Sequence, residues 1–126
     1  PPPPPPLFFF LADYGIRDSV SSRGLGDVYK RQAKAGVNHM AETIANELSS
    51  HRIRVNVIEP GWTDTPGERQ YSTEQEIQSG GEKCPWGRLA TIEDMGQAAT
   101  FLCSDAADYI TGAKLRIDGG LNFVFH

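Results

Sequence analysis

Tyr29 and Lys34 are two residues of this chain whose side chains could together transfer a proton. A tyrosine hydroxyl has an unperturbed pKa of about 10, so it needs a neighbouring cation to be useful near neutral pH. The two residues lie five positions apart, which on a helix turning about 100° per residue leaves their side chains about 140° apart. A spacing of four would leave about 40°, but that position is occupied by Lys30. One residue therefore decides whether the chain holds a tyrosine–lysine pair or the lysine alone.

A second set of candidate residues follows an apolar run at positions 53–58, and consists of Pro60, Gly61, Thr63 and Thr65. Proline fixes the backbone where the run ends, and a glycine after it allows a flat ring to approach the chain closely. The tryptophans Trp62 and Trp86 either line a substrate pocket or only pack, and the sequence favours neither interpretation.

Composition limits the functions that the chain can have. Its 126 residues, 39% hydrophobic and 22% charged, are typical of one soluble globular domain at most. A net charge of −4 without a long basic run gives no reason to expect nucleic acid as a partner. No apolar run approaches the roughly 20 residues that span a bilayer, so we expect no membrane segment. Cys84 and Cys103 have no metal-ligand spacing around them, which predicts reduced thiols, a cytoplasmic protein and no metal site.

A change of pattern near Gln32 divides the chain into residues 1–32 and 33–126. No helical or strand period crosses the first part, which opens on six prolines. The prolines could bind an SH3-type groove, Gly24 and Gly26 could belong to a phosphate loop, and YKRQ could be a small basic patch. We favour a fourth interpretation, because SSRGLGDVYKRQ resembles translated read-through of a sequencing adapter. Residues 1–32 are therefore expected to be non-native or disordered and are left out of the fold prediction.

From residue 33 onward the hydrophobic pattern is regular. Apolar residues at three- and four-residue spacing predict an amphipathic helix over 33–50, with its buried face at Val37, Met40, Ala41, Ile44, Ala45 and Leu48. Residues 53–58 predict a buried strand, and 61–90 a mobile crossing with one short helix at 73–78.

A second helix and a last strand complete the pattern. Thr91 caps the helix, Glu93 and Asp94 lie in its first turn, and its apolar face is Ile92, Met95, Ala98, Ala99 and Leu102. Leu115 and Ile117 alternate in a strand that stops at 118–120. The order helix, strand, crossing helix, strand is typical of an α/β protein with a parallel sheet. We expect Asn56 to be a satisfied core polar residue and His39 to be structural. Asp118 is expected to fix the chain terminus or an intersubunit contact and not to bind a metal.

Several segments in this order resemble the short-chain dehydrogenase/reductase family: AKAGVNHMAETIANELSS, IRVNVIEPGWTDTP, PWGRLATIEDMGQAATFLCSD and YITGAKLRIDGG. The resemblance covers about residues 33–123. It implies the C-terminal part of a Rossmann-type, doubly wound fold, hence a partial doubly wound parallel sheet. It also implies hydride transfer between NAD or NADP and a carbonyl or secondary alcohol of a small molecule, such as a sugar or a 3-oxoacyl substrate. A homo-oligomeric parent, a dimer or tetramer, is the further expectation.

The resemblance assigns roles to particular residues. Lys34 corresponds to the family's lysine, which lowers the pKa of the catalytic tyrosine and holds the nicotinamide ribose. Pro60, Gly61, Thr63 and Thr65 correspond to the turn that meets the nicotinamide carboxamide, with Thr65 matching a threonine hydroxyl. The family's tyrosine precedes its lysine by four residues, so Tyr29 does not match, and we expect it to be accidental.

Two further family features are missing from these 126 residues. Thirteen residues before position 30, where the family has its catalytic serine, this sequence has Arg17. The glycine-rich phosphate turn would lie well over a hundred residues upstream. We therefore expect these residues to be part of such an enzyme and to be inactive by themselves. The alternative is that the chain is no enzyme, but a non-catalytic truncated fragment or a proline-rich interaction module. The substrate and the choice between NAD and NADP stay open.

Overall fold

The computed structural model describes the backbone of residues 7–10 and 25–124, and the side chains of residues 31–124. Its strands are β1 (Leu7–Phe10), β2 (Val55–Pro60) and β3 (Lys114–Ile117). They form a parallel sheet in the order β1-β2-β3. Its α-helices are α1 (Leu25–Leu48), α2 (Glu74–Lys83) and α3 (Ile92–Cys103), and short 3-10 turns follow or join them.

The central strand β2 is buried on both faces because helices cover it on both sides. Val55 and Val57 pack against Ala41 and Ala45 of α1. Ile58, which points to the opposite face, packs against Leu102 of α3 and the residues around it. A nearly continuous apolar run is the sequence that a central parallel strand requires. The predicted doubly wound α/β arrangement is thus confirmed in the described part of the chain.

Two regular elements lie in the segment for which we predicted none. Helix α1 begins at Leu25, eight residues before the predicted start, and β1 occupies residues 7–10. No proline interrupts residues 25–32, so a helix nucleated further along can extend through them. The four residues of β1 are all apolar, as is usual in central parallel strands, so they show no alternation of polar and apolar residues. A run of four is also too short to distinguish a strand from a helix by its spacing. Residues 1–6 and 11–24, which include the proline run and Gly24, lie outside the described residues, and the adapter origin stays a prediction.

The core polar residue Asn56 fixes the chain that leads into β3. Its side chain is 1% exposed, donates to the Ile110 carbonyl at 3.0 Å and accepts from the Ala113 N–H at 3.0 Å. Both hydrogen-bonding groups of the amide are therefore used, as predicted, and they set the register of β3 beside β2.

The crossing after β2 folds around Trp62. Its ring packs with Ile77, Cys84, Leu89 and Leu121. Helix α2 approaches so closely at Gly80 that a Cβ there would lie 2.4 Å from the indole ring. Thr73 and Glu76 form a capping box at the start of α2. The helix predicted at 73–78 is thus present and continues to Lys83, because small glycines let it pack on the indole.

Helix α3 is fixed at both ends. Thr91 is the N-cap, as predicted, and it forms a capping box with Asp94, which sequence analysis assigned only to the first turn. At the other end, the Arg54 guanidinium donates to the carbonyl oxygens of Leu102 at 2.6 Å and Ser104 at 3.4 Å. A cation at the C-terminus of a helix binds carbonyl groups that lack intrahelical partners.

Most of the predicted apolar faces are confirmed, with two exceptions. Met95, Ala98, Ala99 and Leu102 pack in the core, but Ile92 is 57% exposed. On α1, Met40 is 44% exposed whereas its predicted neighbours pack against β2. Both residues lie at the edge of the apolar face of their helix, where a side chain can point toward solvent. Within the described residues no helix is long and apolar enough to cross a membrane.

We predict that Asp94→Ala destabilises the protein by about 1 kcal/mol at neutral pH, the usual value of a lost N-terminal cap. Hydrogen bonds from Arg88, and next from the Thr91 N–H, hold the pKa of Asp94 well below its usual range. Its stabilisation is therefore complete above about pH 5 and is lost as the pH falls below the unfolded value of about 4. Urea unfolding between pH 3 and 7 should show the two proteins converging in acid. Glu93→Ala, an exposed carboxylate in the same turn, is the control, and an equal, pH-dependent loss there would contradict the prediction.

Candidate functional site

The carboxyl ends of β2 and β3 meet at one edge of the sheet, and α1 leads to the same edge. The Leu48 carbonyl accepts from the Ile53 N–H just before β2, whereas Asn38 donates to Glu59 near the end of β2. Helix α1 therefore runs antiparallel to β2. Lys34, one turn before Asn38, lies about 6 Å further along the axis toward the carboxyl edge. Its side chain is half-buried.

Gly61 is required by a close contact between two strand ends. Its N–H donates to the Ile117 carbonyl at 2.9 Å, and a Cβ at this position would lie 2.6 Å from the Cα of Asp118. Sequence analysis explained this glycine by the approach of a flat ring. In the structure the space beside Gly61 is filled by the backbone of Asp118, so the glycine first of all closes the edge of the sheet.

Thr63 uses its hydroxyl inside the turn and lies beside Ala90 in the sheet. The Thr63 hydroxyl is buried and donates to the Gly61 carbonyl at 3.0 Å. Thr63 forms an isolated parallel bridge with Ala90. The Ala90 N–H donates to the Trp62 carbonyl, and the Ala90 carbonyl accepts from the Asp64 N–H. In such a bridge the N–H and carbonyl of Thr63 itself point away from Ala90. The backbone N–H and carbonyl of Thr63 therefore take no part in the bonds to Ala90, whereas its hydroxyl is used inside the turn.

Thr65 and Asp64 shape the loop that follows. The Thr65 hydroxyl oxygen accepts from the Glu68 N–H at 3.1 Å and so caps the 3-10 turn Glu68–Gln70. Asp64 receives two hydrogen bonds of 2.7 Å from Arg69, which also donates to Glu74. The Arg69 guanidinium holds the pKa of Asp64 below its usual value. Because Thr65 accepts its bond, its own hydroxyl hydrogen can still be donated to a ligand.

Sequence analysis missed two polar residues at this edge, Asn38 and Glu59. The Asn38 side-chain N–H donates to Glu59 Oε1 at 2.9 Å, and Arg116 Nε lies 3.6 Å from Glu59 Oε2. Asn38 follows Lys34 by four residues, so the two share a helix face. The spacing of Lys34 and Asn38 can be seen in the sequence, but the glutamate that accepts the Asn38 hydrogen bond lies 21 residues away.

Tyr29 and Lys34 both lie on α1, still five residues apart. The helix that we predicted to begin at residue 33 extends past Tyr29, so the offset of about 140° applies to the backbone positions. The side chain of Tyr29 lies outside the described residues, and its lack of a catalytic role stays a prediction.

The remaining candidates contribute to packing or to the surface. Trp86 is 72% exposed and Trp62 lies in the core cluster under α2. Asp118 accepts from the N–H groups of Gly120 and Asn122, which confirms that it fixes the chain after β3. Both cysteines are free, and burial raises the pKa of the Cys84 thiol. No cluster of metal-ligating side chains occurs in the described part of the chain.

A parallel sheet with helices on both faces and polar groups at its carboxyl edge defines a doubly wound α/β protein, the class that binds nucleotides at this edge. A family model described as enoyl-(acyl carrier protein) reductase matches residues 19–122. The chain belongs to the short-chain dehydrogenase/reductase family.

Curated relatives match over part of their length. The 3-oxoacyl-[acyl-carrier-protein] reductase FabG of Thermotoga maritima is 39% identical over 89 residues, which cover 71% of this chain and 36% of the relative. The 3beta-hydroxysteroid dehydrogenase 1 of Eggerthella lenta is also 39% identical, over 71% of this chain and 34% of the relative. The chain thus spans about a third of the length of the curated relatives that it matches.

A solved structure shares the fold. YwfH, described as an NADPH dependent reductase involved in bacilysin biosynthesis, superposes with a TM-score of 0.72. The match covers 90% of this chain and 45% of YwfH at 23% sequence identity. At that identity the likeness concerns the fold alone.

We predict that Gly61→Ala lowers the free energy of unfolding by about 2 kcal/mol or more, because the added methyl group meets backbone atoms that cannot move aside. Denaturant unfolding measures the change. Gly96→Ala in α3 is the matched control, since a Cβ there meets no atom within 4 Å and the exchange in a helix should stabilise by up to about 1 kcal/mol. Equal effects of the two substitutions would contradict the assignment of Gly61 to a close strand contact.

Proposed function

We propose that the protein to which these residues belong transfers hydride between NAD or NADP and the carbonyl or secondary alcohol of a small molecule. The single observation that carries the proposal is the arrangement at the carboxyl edge. A lysine on α1 and the turn after β2 approach the same end of the sheet, in a chain whose family is established.

The groups at this edge suit the nicotinamide end of the cofactor. The backbone N–H and carbonyl of Thr63, which take no part in the bonds to Ala90, offer one donor and one acceptor, which is what a carboxamide needs. The Thr65 hydroxyl, whose oxygen already accepts from Glu68, adds a second donor. Pro60 and Gly61 set the position of both threonines by ending β2 against β3.

Lys34 supplies the positive charge in this proposal. Its ammonium stabilises the tyrosinate form and so lowers the pKa of a tyrosine one helical turn earlier, which lets that hydroxyl exchange a proton with the substrate oxygen. The same ammonium would donate hydrogen bonds to the ribose hydroxyls of NAD or NADP, which would supply or accept the hydride when bound.

The substrate class follows from chemistry and not from a single relative. Two relatives of equal identity are named for a 3-oxoacyl thioester and for a hydroxysteroid, and both substrates present a carbonyl or secondary alcohol. We therefore propose a small-molecule carbonyl or alcohol, such as a sugar or 3-oxoacyl substrate. We also propose that the whole protein is a cytoplasmic homo-oligomer, either a dimer or a tetramer. A further part of the proposal is that residues 1–32 are foreign to the domain formed by residues 33–126.

A hybrid enzyme tests the role of Lys34. Residues 33–124 would replace the matching segment of the Thermotoga maritima reductase, whose preceding part is expected, from the family pattern, to supply the phosphate turn and a tyrosine four residues before Lys34. The hybrid should oxidise NADH or NADPH in the presence of a 3-oxoacyl thioester. Lys34→Ala should lower its turnover by a factor of about 10² or more, the size expected for lost acid–base catalysis.

Two controls make the outcome decisive. Lys83→Ala, an exposed lysine at the end of α2, should leave turnover unchanged. The 126-residue chain made alone should show no saturable change of nicotinamide fluorescence and no turnover, because it carries groups for one end of the cofactor. A folded hybrid that turns over equally well with and without Lys34 would refute the proposed role.

A further inference from the structure

Glu59 is a carboxylate held near the core of the carboxyl edge. Its side chain is 13% exposed, and it lies two residues after Val57 on the strand, hence on the face of the sheet that α1 covers. A charge removed from water at this level must be bonded by nearby donors. In the described part of the chain those donors are Asn38, at 2.9 Å, and Arg116, at 3.6 Å.

The contact joins three elements at one point. Asn38 belongs to α1, Glu59 to β2 and Arg116 to β3, where it is the register partner of Glu59. Glu59 directly precedes Pro60, so a contact that fixes Glu59 also fixes the start of the turn that follows. A second link between the same helix and β3, from Lys114 to Glu42 at 2.8 Å, lies in solvent and is the weaker of the two.

We infer that Asn38 is a positioning residue for Lys34. Apolar packing of Val37, Ala41 and Ala45 on β2 holds the helix against the sheet, but the hydrophobic contribution has no directional preference of its own. A hydrogen bond from the Asn38 amide to a nearly buried carboxylate has one favourable geometry, so it fixes where along β2 the helix stops. Lys34, one turn earlier, is thereby set at a fixed height beside the Pro60 turn. The functional importance of this position of Lys34 rests on the proposed function, whereas the hydrogen bond between Asn38 and Glu59 does not.

Hydrogen exchange of the 126-residue chain tests the positioning directly. Asn38→Ala should speed amide exchange in residues 34–38 by about tenfold or more, since a charge-assisted bond is lost. Alanine is the better helix former, so intrinsic propensity alone would slow the same amides. The two explanations therefore predict opposite signs.

Matched variants exclude a general loss of structure. Asn46→Ala makes the same substitution at an exposed position of the same helix and should leave exchange at residues 34–38 unchanged or slower. Asn38→Ala combined with Glu59→Ala should exchange no faster than Glu59→Ala alone, because both remove one bond. Unchanged or slower exchange in Asn38→Ala, or additive effects of the two substitutions, would overturn the inference.

The hybrid enzyme gives the functional readout. If Asn38 positions Lys34, Asn38→Ala should raise the apparent pKa of the tyrosine seen in the pH profile of alcohol oxidation, with Asn46→Ala as the unchanged control. An unshifted profile would contradict the positioning role. A hybrid whose activity does not depend on Lys34 refutes the proposed role of Lys34, and the hydrogen-exchange result then still decides whether Asn38 fixes the helix.

Discussion

The burial of β2 on both faces is the constraint on which the rest of the structure depends. Four consecutive residues at its start are at most 1% exposed, so the strand needs a helix on each side and a paired strand on each edge. Helices α1 and α3 and strands β1 and β3 meet those needs. Because parallel strands end together, their polar continuations collect at one edge. The fold thereby produces the site before any ligand is considered.

At that edge, the residues that we propose to contact the cofactor also have structural roles. Gly61 closes β2 against Asp118, Thr63 uses its hydroxyl internally and Thr65 caps the next turn. These structural roles do not use the backbone N–H and carbonyl of Thr63 or the hydroxyl hydrogen of Thr65. A rigid turn presents its donors without further loss of conformational freedom on binding, which is how a small set of groups can orient a flat ring.

Local patterns predicted the elements from residue 33 onward, because caps and periodic apolar faces are short-range signals. Thr91 with Asp94, and Leu115 with Ile117, illustrate this. The sequence did not reveal β1, since four apolar residues carry no period, or the start of α1, since propagation from a stable helix needs no signal of its own. It also did not reveal the Asn38–Glu59 contact, which joins residues brought together by tertiary packing. Family resemblance supplied the roles of Lys34 and Thr65, which no local pattern encodes.

The central claim is that Lys34 lies at the carboxyl edge beside the turn after β2. Distances between paired spin labels would test it, after Cys84→Ala and Cys103→Ser remove the native thiols. One label at Thr65 would be paired in turn with a label at Lys34 and at Glu47, an exposed residue further along the same helix. The account predicts that the Lys34 pair is clearly the shorter. A Glu47 pair of equal or shorter distance would contradict it.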